Sequence, residues 1–200
     1  MPHVAAANSQ SPKPKRNAAS QRGWFATHGR DLRFLGLFAF FLLVFYLLTL
    51  IPLVRQQVFP GYLRLNAIGA AWLLNFFGEN LEVRGNSLVS PKFQVSIERG
   101  CDAIEPSALF CAAVLASPVA LLPRLGAVLI GTTFLMLLNF VRVLTLYYTG
   151  AYFRPAFDIM HLDVWQALFV FLAIFFWAVW ASWQTRKPKA DTNAPTKNHT

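Results

Sequence analysis

Three side chains in this sequence could together carry out acyl transfer: Cys101, Arg142 and His161. A thiolate is a strong nucleophile towards a carbonyl, an imidazole can take and return the proton, and a guanidinium can stabilise a developing oxyanion. Cys101 stands where the polar, strand-like stretch V-S-I-E-R-G gives way to an apolar run beginning at D-A-I-E-P-S. Asp102, with Glu105 three residues later, reads as a capping box, and Pro106 suits a first helical turn, so a helix N-terminus is expected beside the sulfur. That end carries partial positive charge, which is expected to favour the thiolate. Arg142 lies in L-L-N-F-V-R-V-L-T-L, where a charge inside an apolar helix reads as functional. Asn139, three residues earlier on the same helical face, is expected to orient it. Of four histidines, His3, His28 and His199 fall in polar terminal segments, which leaves His161 as the partner for Cys101. Each residue also has a plain structural use: a small buried thiol, an arginine snorkelling to headgroups, an interfacial histidine. A zinc site lacks the usual ligand spacing.

The elements that must bring these residues together are membrane helices. Of the 200 residues, 56% are hydrophobic and 19 are Phe, more apolar surface than a soluble domain of this size could bury. The two cysteines, ten positions apart, would lie about 15 Å apart on one helix, beyond disulfide reach. No Cys-x-x-Cys occurs, which argues against a disulfide oxidoreductase. The expected fold is an all-α integral membrane protein with about four transmembrane helices, an interfacial helix and a small extracytoplasmic β-hairpin. Residues 1–30 read as a disordered basic cytoplasmic tail, 31–184 as the membrane domain and 185–200 as a second disordered basic tail. The first apolar run lacks a cleavage site after it and is expected to stay as an anchor.

Within the membrane domain, spans are expected at 34–54, 105–122, 125–148 and 163–183, with a tight turn at Pro123-Arg124 and an aromatic-rich loop over 148–162. Residues 62–78, which carry Arg64, Asn66 and Asn75, could just span but fit better at the interface. Residues 81–97 alternate apolar and polar side chains around Gly85-Asn86, as a hairpin would, and such a hairpin belongs in water or against helices. Four spans put both tails on one side, with eleven Lys and Arg against two Asp, while the other side has seven basic and seven acidic residues. Basic residues stay in the cytoplasm, so Cys101 is expected to face outward. The net charge of +9 thus reports orientation rather than nucleic-acid binding.

I-E-R-G-C-D-A-I-E, followed by N-F-V-R at 139–142 and M-H-L at 160–162 and preceded by L-E-V-R-G-N, resembles the exosortase and archaeosortase family of membrane transpeptidases. The short form, with few spans before the cysteine, is most similar to exosortase H. The resemblance implies Cys101 as nucleophile, Arg142 as oxyanion stabiliser and His161 as base, with Asn139, Asp102 and Glu105 in support. It implies no metal or organic cofactor. It also implies a bacterial inner-membrane enzyme with its site facing the periplasm. The substrates implied are exported proteins that carry a recognition motif, a transmembrane helix and a basic end at the C-terminus, handed to water or an acceptor nucleophile. One departure is visible: the family usually has Gly two residues after the cysteine, where this chain has Ala103. The competing reading is a membrane scaffold or assembly factor whose outer hairpin binds a partner. A transporter fits less well, since one embedded charge offers little polar path.

Overall fold

Proline and glycine positions decide where this largely apolar chain can bend. The computed structural model describes residues 16–186, with side chains from Gly29 onward. The tail assignments for residues 1–15 and 187–200 fall outside the described residues. Helix α1 (Arg16–Leu50) extends back into the stretch read as a tail and stops just before Pro52, whose ring cannot continue the ladder. A π-helical turn (Val54–Val58) leads into α2 (Phe59–Phe76), with Pro60 in its first turn. Helix α2 buries Leu63, Asn66, Ala67, Ala70, Ala71 and Leu74 at spacings of three and four, while Leu65, Ile68, Trp72 and Phe76 stay exposed.

The expected hairpin is a three-stranded antiparallel meander: β1 (Glu82–Arg84), β2 (Ser87–Val89) and β3 (Gln94–Ser96). Gly85, at φ 66, makes the first turn with Asn86, as the sequence indicated. Leu88, Val95 and Ile97 face a core shared with α2 and with Val143 and Tyr147 of α4 (Leu121–Tyr152). The Phe93 ring lies so close over Gly150 of α4 that a β-carbon there would overlap it. A second core packs α3 (Ile104–Ala116) against α4 and α6 (Trp165–Arg186) through Phe110, Val114, Leu135, Phe169 and Ala173. Helix α3 is apolar all round because α1, α4 and α6 surround it.

Several expected boundaries move. The span expected at 105–122 is the 13-residue α3, about 20 Å long against a hydrocarbon core of about 30 Å. Three helical stretches among the described residues are long and apolar enough to cross: Gly29–Leu50, Leu121–Tyr152 and Arg154–Arg186. The fourth crossing thus reduces to a short helix enclosed by the other three. Helix α3 ends because Pro118 forces Ser117 into extended backbone (ψ 140), so the turn falls at 117–120. Pro123 and Arg124 lie inside the first turn of α4 instead, where a proline's missing N–H costs nothing. The expected loop over 148–162 is helical too. Helix α4 runs to Tyr152, only Phe153 breaks the pattern (φ −138), and α5 (Arg154–Asp158) passes through a π-helical turn (Ile159–Val164) into α6.

Candidate active site

Cys101 is held on a tight turn between β3 and α3. Gly100 sits at φ 91, the Cys101 N–H donates to Glu98 O (2.9 Å), and Ala103 adopts a left-handed conformation at φ 58. A residue with a β-carbon is disfavoured there by about 1 kcal/mol or more, so a glycine would hold this backbone with less strain. The turn is buried: Cys101 is 9%, Asp102 1% and Ala103 1% exposed. Tyr62 of α2 fastens it by donating its hydroxyl to Asp102 O at 2.7 Å.

The three candidate residues meet at this turn. The π-helical segment presents His161, whose Nε2 is in hydrogen-bond contact with Cys101 Sγ. π-turns of this kind re-aim a side chain relative to a regular helix and are frequent at functional sites. Arg142, 2% exposed on α4, donates from Nη1 to Gly100 O (3.0 Å) and from Nη2 to Cys101 Sγ (3.6 Å) and His161 O (3.4 Å). Its Nε is buried with no hydrogen-bond partner, and its guanidinium carbon lies 5.5 Å from the centroid of the Phe169 ring. Phe157 packs its ring against His161 at 5.5 Å. A cavity of about 210 Å³ opens onto the pair, bounded by residues 93–97, Val143, Leu146 and Phe157.

The supporting residues behave differently from expectation. Ala103 occupies the N-cap position of α3, so Asp102 and Glu105 form no capping box. Asp102 Oδ1 accepts instead from the Ile104 N–H (3.2 Å), Oδ2 is buried without a partner, and burial pushes the carboxyl above its usual range. Glu105 is exposed, lining a cleft with Phe45 and Tyr46 of α1. The Asn139 side chain donates to Asn66 Oδ1 (3.4 Å) rather than to Arg142, which ties α4 to α2. Burial raises the Cys101 thiol, and the opposing effect of Arg142 only partly offsets it. Desolvation thus acts on the sulfur against the thiolate stabilisation expected from the helix end, and the imidazole in contact with it is the group placed to take its proton. Cys111, the other free cysteine, packs against the second core with its sulfur 3.4 Å from the Thr132 hydroxyl.

Sequence reasoning missed the brace that holds the sheet over this site. Glu79, 8% exposed, accepts from Lys92 Nζ at 2.9 Å and from the Tyr147 hydroxyl at 3.0 Å, and Tyr147 also shares a 2.9 Å bond with Ser90. Lys92 holds the Glu79 carboxyl below the usual range. The available signal was a Glu after the Phe77-Gly78 turn that ends α2 and a Lys at the second sheet turn. Among the described residues, no three His, Cys, Asp or Glu side chains gather as metal ligands would.

The site lies at one end of the bundle, and Arg30, Arg33, Arg124 and Arg186 lie at the other. Arg124 donates to Leu115 O and Val119 O beyond the far end of α3, where Trp177 bonds Ser117 and stacks on Phe34, so Arg30, Arg33 and Arg186 belong to that end. Between Leu121 and Arg142, α4 rises about 31 Å, the thickness of a hydrocarbon core. The remaining turns of α4 carry the sheet.

Fold and site together define a polytopic membrane protein with a cysteine, histidine and arginine cluster at one mouth of its helix bundle. Residues 23–180 match the family model for transmembrane exosortases, and the chain belongs to that family. No curated protein and no solved structure matches the chain.

Proposed function

We propose that the protein is a membrane cysteine protease and transpeptidase that cleaves C-terminal sorting signals of exported proteins at the extracytoplasmic face. The observation that carries this reading is the contact of Cys101 Sγ with His161 Nε2, with Arg142 at 3.6 Å from the sulfur and the cavity alongside. His161 takes the thiol proton as Cys101 attacks the scissile carbonyl. Arg142 steadies the oxyanion, its Nε being the donor without a partner. His161 returns the proton to the leaving amine and leaves a thioester on Cys101. Water or an acceptor amine, activated by the same imidazole, then releases the product. No step calls on a metal or organic cofactor.

Orientation follows from charge. The end bearing Arg30, Arg33, Arg124 and Arg186 suits the cytoplasm, which supports reading Cys101 as lying near the outer boundary of a bacterial inner membrane. A substrate with one transmembrane helix and a basic cytoplasmic end would present its cleavage site at that level. The test is processing of a co-expressed exported protein with such a C-terminus. Cys101→Ala abolishes processing with the protein still inserted and folded, and Cys111→Ala leaves it within about twofold. Retained processing in Cys101→Ala would favour a scaffold role instead.

A further inference from the structure

Strand β3 is the outer strand of the meander, and half of its backbone points away from β2. Val95 pairs with Leu88, Ser90 N–H bonds Phe93 O (3.2 Å) and Ile97 N–H bonds Asn86 O (3.0 Å), so residues 93, 95 and 97 form the bonded side. Backbone direction alternates along a strand, and the N–H and C=O groups of Gln94 and Ser96 therefore face the other edge. The site cavity is lined by five consecutive residues, 93–97, and continues to Cys101 and His161. Successive side chains leave a strand on opposite faces, so a cavity touching five in a row runs along the edge. Its far wall is apolar: Val143, Leu146 and Phe157.

We propose that this edge receives a stretch of substrate polypeptide as an added extended strand, docked by the backbone of Gln94 and Ser96, with its scissile carbonyl delivered to Cys101. The proposal rests on the thioester reading above and specifies how that site holds its substrate. An open strand edge is a template for another chain, and folded proteins usually cover or blunt it. An edge that opens instead onto a cavity holding a thiol and a base suits a ligand with donors and acceptors at every second residue, which is what an extended peptide offers. Backbone bonds hold the chain whatever its side chains, while the apolar wall selects among them. The carbonyl is also fixed relative to the sulfur, the positional advantage a nucleophile needs.

The test needs no knowledge of the natural substrate. In the purified full chain, alkylation of Cys101 is timed with iodoacetamide, with acetyl-Ala-Ala-Ala chloromethyl ketone and with the same tripeptide methylated on its backbone nitrogens. N-methylation slows the peptide reagent about tenfold in the wild type, the order expected for loss of a backbone hydrogen bond. Gln94→Pro, which removes an N–H turned away from β2 and keeps the extended backbone an edge strand tolerates, slows the unmethylated peptide similarly and leaves iodoacetamide unchanged. Gln94→Ala keeps the N–H and stays within about twofold. A changed iodoacetamide rate in Gln94→Pro would mean a disturbed site, and the wild-type N-methyl comparison then decides alone. Equal rates for methylated and unmethylated peptides, with Cys101 still quick towards iodoacetamide, would overturn strand docking and leave the nucleophile intact. Cys101 no faster than Cys111 towards iodoacetamide would overturn the nucleophile reading, and the docking proposal with it.

Discussion

One cysteine lies on the turn before α3 and the other midway along it, and the contrast between them sets a packing thiol against the proposed nucleophile. Both are free and at least partly buried. Cys111 sits among apolar side chains with one threonine hydroxyl at 3.4 Å. Cys101 lies on a strained turn with an imidazole against the sulfur and a guanidinium at 3.6 Å. Burial alone does not make a thiol inert, and a helix N-terminus alone does not make it reactive. What differs is whether a proton acceptor is within reach.

The largest expected effects come from removing those neighbours. Arg142→Lys keeps a charge but loses the planar fork that joins Gly100 O, the sulfur and His161 O. Processing falls by roughly 10² to 10³, or about 2–4 kcal/mol in barrier. Full processing in this variant would make the guanidinium a packing group. His161→Gln removes proton transfer, typically worth about 10² to 10⁴. Because a thiol is a good nucleophile, acylation survives in part while release of the thioester suffers more. A thioester-labile, substrate-sized adduct on Cys101 should accumulate on denaturing gels in His161→Gln and not in Arg142→Lys.

A smaller effect tests the sheet that frames the cavity. The folded-state pKa of Glu79 is depressed, chiefly by its bond to Lys92, so its stabilising contribution is present above the unfolded carboxylate pKa of about 4.3 and is lost as pH falls through the folded value. Glu79→Gln should lower thermal stability at pH 7, and the gap from wild type should close on acidification towards and below pH 4. A gap independent of pH would show that Glu79 acts without its charge. The smallest effect is a gain: Ala103→Gly relieves the left-handed backbone at φ 58 and should raise stability by about 1 kcal/mol with processing intact. A loss of stability would mean that the alanine methyl contributes more to packing than its backbone costs.

Much of this arrangement was legible in the sequence. Cys101, Arg142 and His161 could be chosen because charge and imidazole are rare in apolar surroundings, and the Gly85-Asn86 turn announced the sheet. Helix ends were less legible, because a proline's effect depends on its position. Pro118 breaks α3 through Ser117, while Pro123 and Pro155 sit harmlessly in first turns. Asp102 and Glu105 have the spacing of a capping box, but the left-handed Ala103 shifts the helix start by one residue and the box does not form. The depth of Cys101 was not legible either, because burial, which pushes its thiol up, comes from residues packed over the turn from distant parts of the chain. The Glu79, Lys92 and Tyr147 brace joins residues far apart in sequence, which no local pattern reveals.

The most direct measurement is the rate of iodoacetamide alkylation at Cys101 and Cys111 as a function of pH, in wild type and in His161→Gln, read by peptide mass spectrometry. If His161 activates a buried neutral thiol, Cys101 reacts faster than Cys111 at pH 7. In His161→Gln it slows by about tenfold or more, and its rate then climbs only above the ordinary thiol range, because burial raises its pKa. An unchanged Cys101 rate in His161→Gln, or a Cys101 slower than Cys111 in the wild type, would contradict the Cys101 and His161 couple.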